Sequence, residues 1–125
     1  MLKLLLFVLL LLPTVSDAQA KKSEWTGTAS YYHPKFNGRK TSSGDIFSNE
    51  KLTAASNILK FGTKVKVTNL RNQKSVDVII NDHMHGRNKR LIDVSAQAAK
   101  ALGFYDRGIC KVRVELISEN TKTSE

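Results

Sequence analysis

Three short stretches in this chain alternate apolar and polar residues with a period of two. They are Lys64-Val65-Lys66-Val67-Thr68, Val76-Asp77-Val78-Ile79-Ile80 and Lys111-Val112-Arg113-Val114-Glu115-Leu116. Successive strand side chains point to opposite faces, so each stretch reads as a strand with one buried and one open face. Glu24 to Tyr32, rich in aromatic, Thr and small residues, reads as a further strand, as does Arg90 to Val94. Leu52-Thr53-Ala54-Ala55 is short and leans the same way. Glycine-bearing turns lie at Pro34–Gly38, Ser42–Asp45 and Phe61–Thr63, and residues Asn69 to Gln73 make a polar hairpin loop. Only Ser95 to Gly103 reads as a helix, with a serine at the N-cap, alanine-rich turns, a late lysine and a closing glycine. Several short strands and one short helix in so small a chain predict a mainly all-β fold, closed or nearly closed into a barrel.

The chain opens with a lysine, an apolar run from Leu4 to Leu12, then Pro13 and a small-residue stretch ending Ala18-Gln19-Ala20. This pattern predicts a secretory signal peptide over residues 1–20, cleaved after Ala20. The apolar run is shorter than the roughly 20 residues a membrane span requires. No cysteine lies beside the cleavage site, so neither a membrane span nor a lipid anchor is expected. The expected domain covers residues 21–117, with a polar tail over 118–125, and the mature chain is long enough for one small core. The formal net charge is +9, which the signal leaves unchanged because it carries one lysine and one aspartate. That charge suggests acidic partners, including wall polymers, acidic glycans, membrane headgroups or nucleic acid, without choosing among them. The single cysteine, Cys110, cannot form an internal disulfide and is read as a small buried hydrophobe, so the domain must stand on its apolar core.

The candidate chemistry sits where the Val76–Ile80 strand ends, in Asn81-Asp82-His83-Met84-His85-Gly86. A carboxylate at the mouth of a strand is held by the core behind it and can reach a substrate in front. Asp82 could also serve only as a turn residue. His83 and His85 are candidate assisting groups because they neighbour Asp82 and titrate near neutral pH. Their His-x-His spacing also suits a metal, but no third ligand is apparent nearby, so neither a metal nor another cofactor is expected. Gly86 closes the stretch and permits unusual backbone angles. Asp93, just before the helix, reads as a capping and barrel-closing residue.

Several further stretches, in order, resemble the RlpA-like (rare lipoprotein A) double-psi β-barrel family. These are Gly27-Thr28-Ala29-Ser30-Tyr31-Tyr32, Phe36-Asn37-Gly38-Arg39-Lys40-Thr41-Ser42-Ser43-Gly44, Leu52-Thr53-Ala54-Ala55-Ser56 and Leu59 to Leu70. Val78-Ile79-Ile80-Asn81-Asp82, Arg90-Leu91-Ile92-Asp93-Val94-Ser95, Ala98 to Gly103 and Gly108 to Glu115 continue the match. The resemblance implies a six-stranded double-psi barrel and, as substrate, peptidoglycan glycan strands. Members of the family cut strands lacking stem peptides between MurNAc and GlcNAc and leave a 1,6-anhydro end. It places the family's catalytic aspartate on Asp82 and its second carboxylate, usually glutamate, on the shorter Asp45. The family's histidine after Leu-Thr-Ala-Ala falls on Ser56, and the usual Arg-Gly-Pro after Asn-Asp is replaced here by His83-Met84-His85-Gly86.

Lytic transglycosylation uses the sugar's own 6-hydroxyl as nucleophile, so one well-placed carboxyl group can serve as acid and then base, unlike a two-carboxylate glycosidase. As acid, Asp82 would need its pKa raised, by partial burial or by Asp45 nearby. One division of roles leaves Asp82 neutral and Asp45 ionised; the reverse is equally open. Tyr32, Arg39, Asn81 and Arg87 are the candidate substrate-binding residues, with Tyr31, Phe36 and Lys40 near them. The rival readings are an expansin-like wall-binding or wall-loosening module, a nucleic-acid binder suggested by charge alone, and a small secreted inhibitor or plant-defence-like barrel. Export and the lack of a binding motif argue against nucleic acid. The expected location is the periplasm or the cell exterior.

Overall fold

The computed structural model describes residues 22–119. The predicted signal peptide and the end of the polar tail, from residue 120 onward, lie outside the described residues. Six strands form one closed barrel: β1 (Glu24–Tyr31), β2 (Thr53–Ala55), β3 (Lys64–Asn69), β4 (Ser75–Asp82), β5 (Ile92–Val94) and β6 (Cys110–Ser118). Around the barrel they run β1-β5-β2-β4-β3-β6. The β1–β5 and β2–β4 pairs are parallel, and the other neighbours are antiparallel. Closure leaves the described sheet without a free edge.

The predicted alternation is what fills the barrel. Val65 and Val67 of β3, Val78 and Ile80 of β4, and Val112 and Val114 of β6 are buried, while Lys64, Lys66 and Asp77 between them are exposed. Ala29, Ile92 and Val94 complete the inner wall. Helix α1 (Ala96–Leu102) closes one side by burying Ala98, Ala99 and Leu102 against the barrel. Ser95 caps it by accepting the Ala98 N–H on its hydroxyl, and Gly103 ends it in the left-handed region at φ 79°. Phe104 follows, almost wholly buried.

Gly27 on β1 marks a close approach: a Cβ there would lie 2.8 Å from the Leu91 Cβ. Most element boundaries differ from the sequence expectation by a residue or two, and two of these differences are structurally informative. β6 runs to Ser118, which pairs with Lys64, so the tail begins one residue later. β4 does not stop at Ile80 but continues to Asp82 across an irregularity: Ala54 faces Ile80, Ala55 faces Asp82, and Asn81 is the extra residue. Cross-strand pairing thus overrides the polar character of Asn81 and Asp82, and the bulge re-aims the strand end. Gly86 is not among the residues with positive φ, so it meets no left-handed requirement in the loop it closes.

Candidate functional site

The end of β4 presents Asp82 at the edge of a cleft of about 400 Å³, whose walls include Tyr31, Tyr32, Phe36, His83, His85, Arg90 and Asp93. The carboxylate is held from two sides. Its Oδ2 accepts the Tyr32 hydroxyl at 2.6 Å, and its Oδ1 accepts the backbone N–H groups of Ser42 at 2.8 Å and His83 at 2.9 Å. Asp82 also serves the scaffold through its main chain, whose carbonyl accepts the Ser56 N–H at 3.0 Å.

Each donor is fixed by its own local structure. Tyr32 lies just beyond β1, where its N–H continues the ladder to the Val94 carbonyl. Its ring stacks on Phe47 with centroids 4.0 Å apart and meets Phe36 edge-on at 5.8 Å. Phe47 is buried at the base of a loop that folds back on itself. The Gly38 N–H reaches the Phe47 carbonyl, the Phe47 N–H reaches the Arg39 carbonyl, and Lys40 bridges Ile46. At the tip of that loop, the Gly44 N–H bonds to the Thr41 carbonyl with Gly44 at φ 96°, and this turn presents the Ser42 N–H to Asp82.

These contacts set the acidity of Asp82 opposite to the expectation for an acid. Burial pushes its pKa up, but the hydrogen bonds from Tyr32, Ser42 and His83 together outweigh burial and hold the carboxyl below the usual carboxylate range. The resting group is a carboxylate, and a neighbouring acid plays no part in its shift. The partner shows the complementary effect: burial first, then the bond to Asp82, raises the Tyr32 phenol far above its ordinary value.

Asp45 comes close to the site without entering the cleft. It sits on the tip of the same loop as Ser42, and its Oδ2 accepts the Asn81 side-chain amide at 3.2 Å. Asn81 is buried; its carbonyl accepts the Ser43 N–H, and its Oδ1 has no hydrogen-bond partner among the described residues. Ser56 is fully buried, with its hydroxyl accepting the Ile58 N–H in a local turn, so it supports the chain behind Asp82. His83 packs its ring against Phe61, centroids 4.4 Å apart, and only its backbone N–H reaches Asp82. His85 lines the cleft, and its Nδ1 accepts the Arg87 N–H at 3.1 Å. Neither Arg39 nor Arg87 lines the cleft; the Arg39 guanidinium lies over the Phe36 ring at 5.5 Å.

The cleft's cation is Arg90, which sequence reasoning passed over in favour of Arg87. Its guanidinium makes a two-pronged bond to Asp93, at 2.7 and 2.9 Å, and Asp93 also accepts the Ser30 hydroxyl at 2.6 Å. Asp93 thus closes the barrel as expected by tying β1 to β5, but it does not cap the helix, a role that Ser95 fills. The Arg90-x-x-Asp93 spacing was the available signal. Asn57 was also missed. It accepts the Met84 N–H at 2.7 Å and donates to the His85 carbonyl, bracing the loop after Asp82 from 27 positions away. No local pattern announces it. Among the described residues, no three His, Cys, Asp or Glu side chains converge as a metal set would require.

The arrangement is an anchored, ionised carboxylate in an open cleft with aromatic walls. It can stabilise a developing positive charge or accept a proton, and aromatic faces suit the apolar faces of sugar rings. Comparison with known proteins gives this geometry a family. A family model described as "Lytic transglycolase" matches residues 24–114. The chain is 47% identical over 104 residues to the endolytic peptidoglycan transglycosylase RlpA of Haemophilus influenzae, covering 83% of this chain and 36% of that protein. It is 50% identical over 104 residues to that of Pasteurella multocida, covering 83% of this chain and 35% of that protein. The chain therefore spans about a third of the length of these curated relatives. In fold it is similar to the Streptomyces papain inhibitor, with a TM-score of 0.62 at 20% identity over 76% of this chain and 94% of that one. The apo Clavibacter michiganensis expansin gives 0.61 at 20% identity over 79% of this chain and 52% of that one. At such identities these two show the barrel alone. With the family match spanning nearly all the described residues and Asp82 set at the barrel's cleft, the chain belongs to the lytic transglycolase family of RlpA-like double-psi β-barrels.

Proposed function

We propose that this domain is a peptidoglycan lytic transglycosylase that cuts glycan strands between MurNAc and GlcNAc, with Asp82 carrying the chemistry. The observation that supports it is the anchoring of Asp82, held by three donors at the edge of an aromatic cleft in a family of this activity. A sugar filling the cleft strips water from the carboxylate and raises its affinity for a proton. Asp82 takes up that proton as the strand binds and passes it to the bridging oxygen as the glycosidic bond breaks. The positive centre left on the sugar is stabilised by the carboxylate so formed. The sugar's 6-hydroxyl then attacks and gives its proton to Asp82, which closes the anhydro ring without consuming water. Asp45 acts from behind: it fixes Asn81 and, through the shared loop, the Ser42 N–H on Asp82. The substrate places the site of action in the cell envelope, which fits the predicted export signal.

The test is incubation of the purified protein with intact sacculi and, separately, with glycan strands stripped of stem peptides, read by mass spectrometry. Products ending in 1,6-anhydroMurNAc, more abundant from stripped strands, support the reading; their absence refutes it. One observation favours a second reading, a module that grips wall glycan without cutting it: the contacts that hold Asp82 ionised oppose its use as an acid. Pelleting with glycan but no anhydro products would establish that alternative.

A further inference from the structure

At the far end of the barrel from Asp82 lies a second and larger cavity, about 720 Å³, where the β3–β4 hairpin loop meets the segment joining α1 to β6. β4 starts near this end and carries Asp82 roughly 20 Å along the strand towards the other, although the two linings approach each other where Tyr31 meets Phe104. The volume is in the range of ligand-binding clefts.

Charge and apolar surface are combined there. Arg71, Arg107 and Lys111 line the cavity with a single acid, Asp106. Among the described residues, none of the three cationic head groups makes a hydrogen bond or ion pair. Some cations elsewhere are engaged, Arg90 with Asp93, Arg113 with Glu115 and Lys100 over the Tyr105 ring, while others such as Lys64 and Lys66 stand on open strand faces; here three unpaired cations share one concave site. The same lining includes Ile109, 59% exposed, and the edge of Phe104, which is otherwise buried. The frame is rigid. The buried Asn69 donates to the Leu102 carbonyl at 2.8 Å and accepts the Arg71 N–H at 2.8 Å. Asn72 also donates to Leu102, and its amide lies so close to Gly103 that a Cβ there would meet it at 2.7 Å. The Leu70 N–H bonds to the Lys111 carbonyl, which ties the two lips together.

We propose that this cavity binds a short acidic peptide carrying small apolar side chains. Unpaired cations set around an apolar floor match carboxylates alternating with methyl groups. A phosphate would use the charges and leave Ile109 wet. The stem peptides of peptidoglycan have this chemistry; taking them as the source rests on the function proposed above, whereas the peptide specificity does not. One domain would then hold peptide-bearing wall at one end and work on bare glycan at the other.

The experiment is an NMR titration of the isotopically labelled protein with the acidic pentapeptide N-acetyl-L-Ala-γ-D-Glu-meso-diaminopimelyl-D-Ala-D-Ala, its carboxyl-amidated form, and inorganic phosphate. The proposal predicts saturable shifts of the Asn72, Gly103 and Ile109 amides with the peptide, and about tenfold weaker binding of the amidated form. An Arg71→Gln/Lys111→Gln double variant should also bind the peptide about tenfold more weakly while cutting stripped glycan as well as wild type does. Shifts confined to Tyr32 and Asp82, no saturation, or equal binding of phosphate and peptide would each overturn it. Saturable peptide shifts in a protein that releases no anhydro products would sustain this site and remove the transglycosylase reading, so the two failures are distinguishable.

Discussion

Replacing Tyr32 with phenylalanine removes one oxygen atom from the site and little else, because the ring's stack on Phe47 survives. The lost group is the donor that reaches the Asp82 Oδ2 at 2.6 Å. A hydrogen bond to a charged group contributes about 1.5–3 kcal/mol, and the half-exposed position of Asp82 brings this to about 1 kcal/mol after solvent screening. That is roughly a fivefold gain in the affinity of Asp82 for a proton. Burial continues to push the pKa up, so Tyr32→Phe moves the Asp82 titration to higher pH. Stability follows with a defined sign. A carboxyl group depressed in the folded state stabilises the protein above its unfolded pKa, about 3.9, and that contribution is lost as pH falls through the folded pKa. The variant is therefore less stable than wild type by about 1 kcal/mol near neutral pH, and the gap closes at acid pH, once Asp82 is protonated in both proteins. Carbon-detected NMR of the Asp82 carboxyl gives the titration, and urea unfolding at the two pH values gives the stability. If Asp82 is the acid, the alkaline limb of the rate profile, where that acid loses its proton, moves the same way. An unchanged or lowered Asp82 titration in the variant would refute the reasoning.

Three further outcomes follow from other contacts. Gly27→Ala drives a Cβ into Leu91 within the β1 wall and should cost about 1–3 kcal/mol, read as a lowered urea midpoint. Asn57→Ala removes both side-chain bonds that brace the loop after Asp82, so the Met84 amide should exchange with solvent about tenfold faster while amides of the β3–β6 ladder keep their protection. In an alkaline titration followed by phenolate absorbance, Tyr32 should resist ionisation until the protein unfolds; a raised phenol pKa stabilises the fold fully below about pH 10 and is lost as pH rises further. Tyr32→Phe should abolish that late step, and an early, complete ionisation of wild type would contradict the burial of this phenol.

The barrel was largely legible because its walls follow simple periodicities. Val65, Val67, Val112 and Val114 alternate with charged neighbours, and that alternation survives into the structure unchanged. Ser95 and Gly103 likewise bound α1 as cap chemistry requires. Legibility thinned where pairing partners decide the outcome, although the leaning of Thr53–Ala55 towards a strand was right. Thr53–Ala55 is three residues long, and its identity as a strand depends on β4 and β5 beside it. β4 continues past Ile80 because Ala55 pairs with Asp82, which no periodicity in β4 announces. The position of Asp82 at a strand mouth was visible, but its acidity was not. That depends on Tyr32, 50 positions away, and on a loop turn that aims the Ser42 N–H. Arg90 differs from Arg87 as sequence only in the aspartate three positions on, and the register of β5 turns that spacing into an ion pair and a place in the cleft. Asp45 was placed near the right strand end but engages Asn81, one residue short of the expected neighbour.

The central claim, that Asp82 performs the cut, is tested most directly by comparing wild type with Asp82→Asn on stripped glycan strands, scoring 1,6-anhydro ends by mass spectrometry. Asparagine keeps the side chain's size and one acceptor oxygen but cannot carry the proton. The account predicts anhydro ends from wild type and a loss of at least about a hundredfold in the variant, with glycan binding retained. Anhydro ends produced at the wild-type rate by the variant would contradict it.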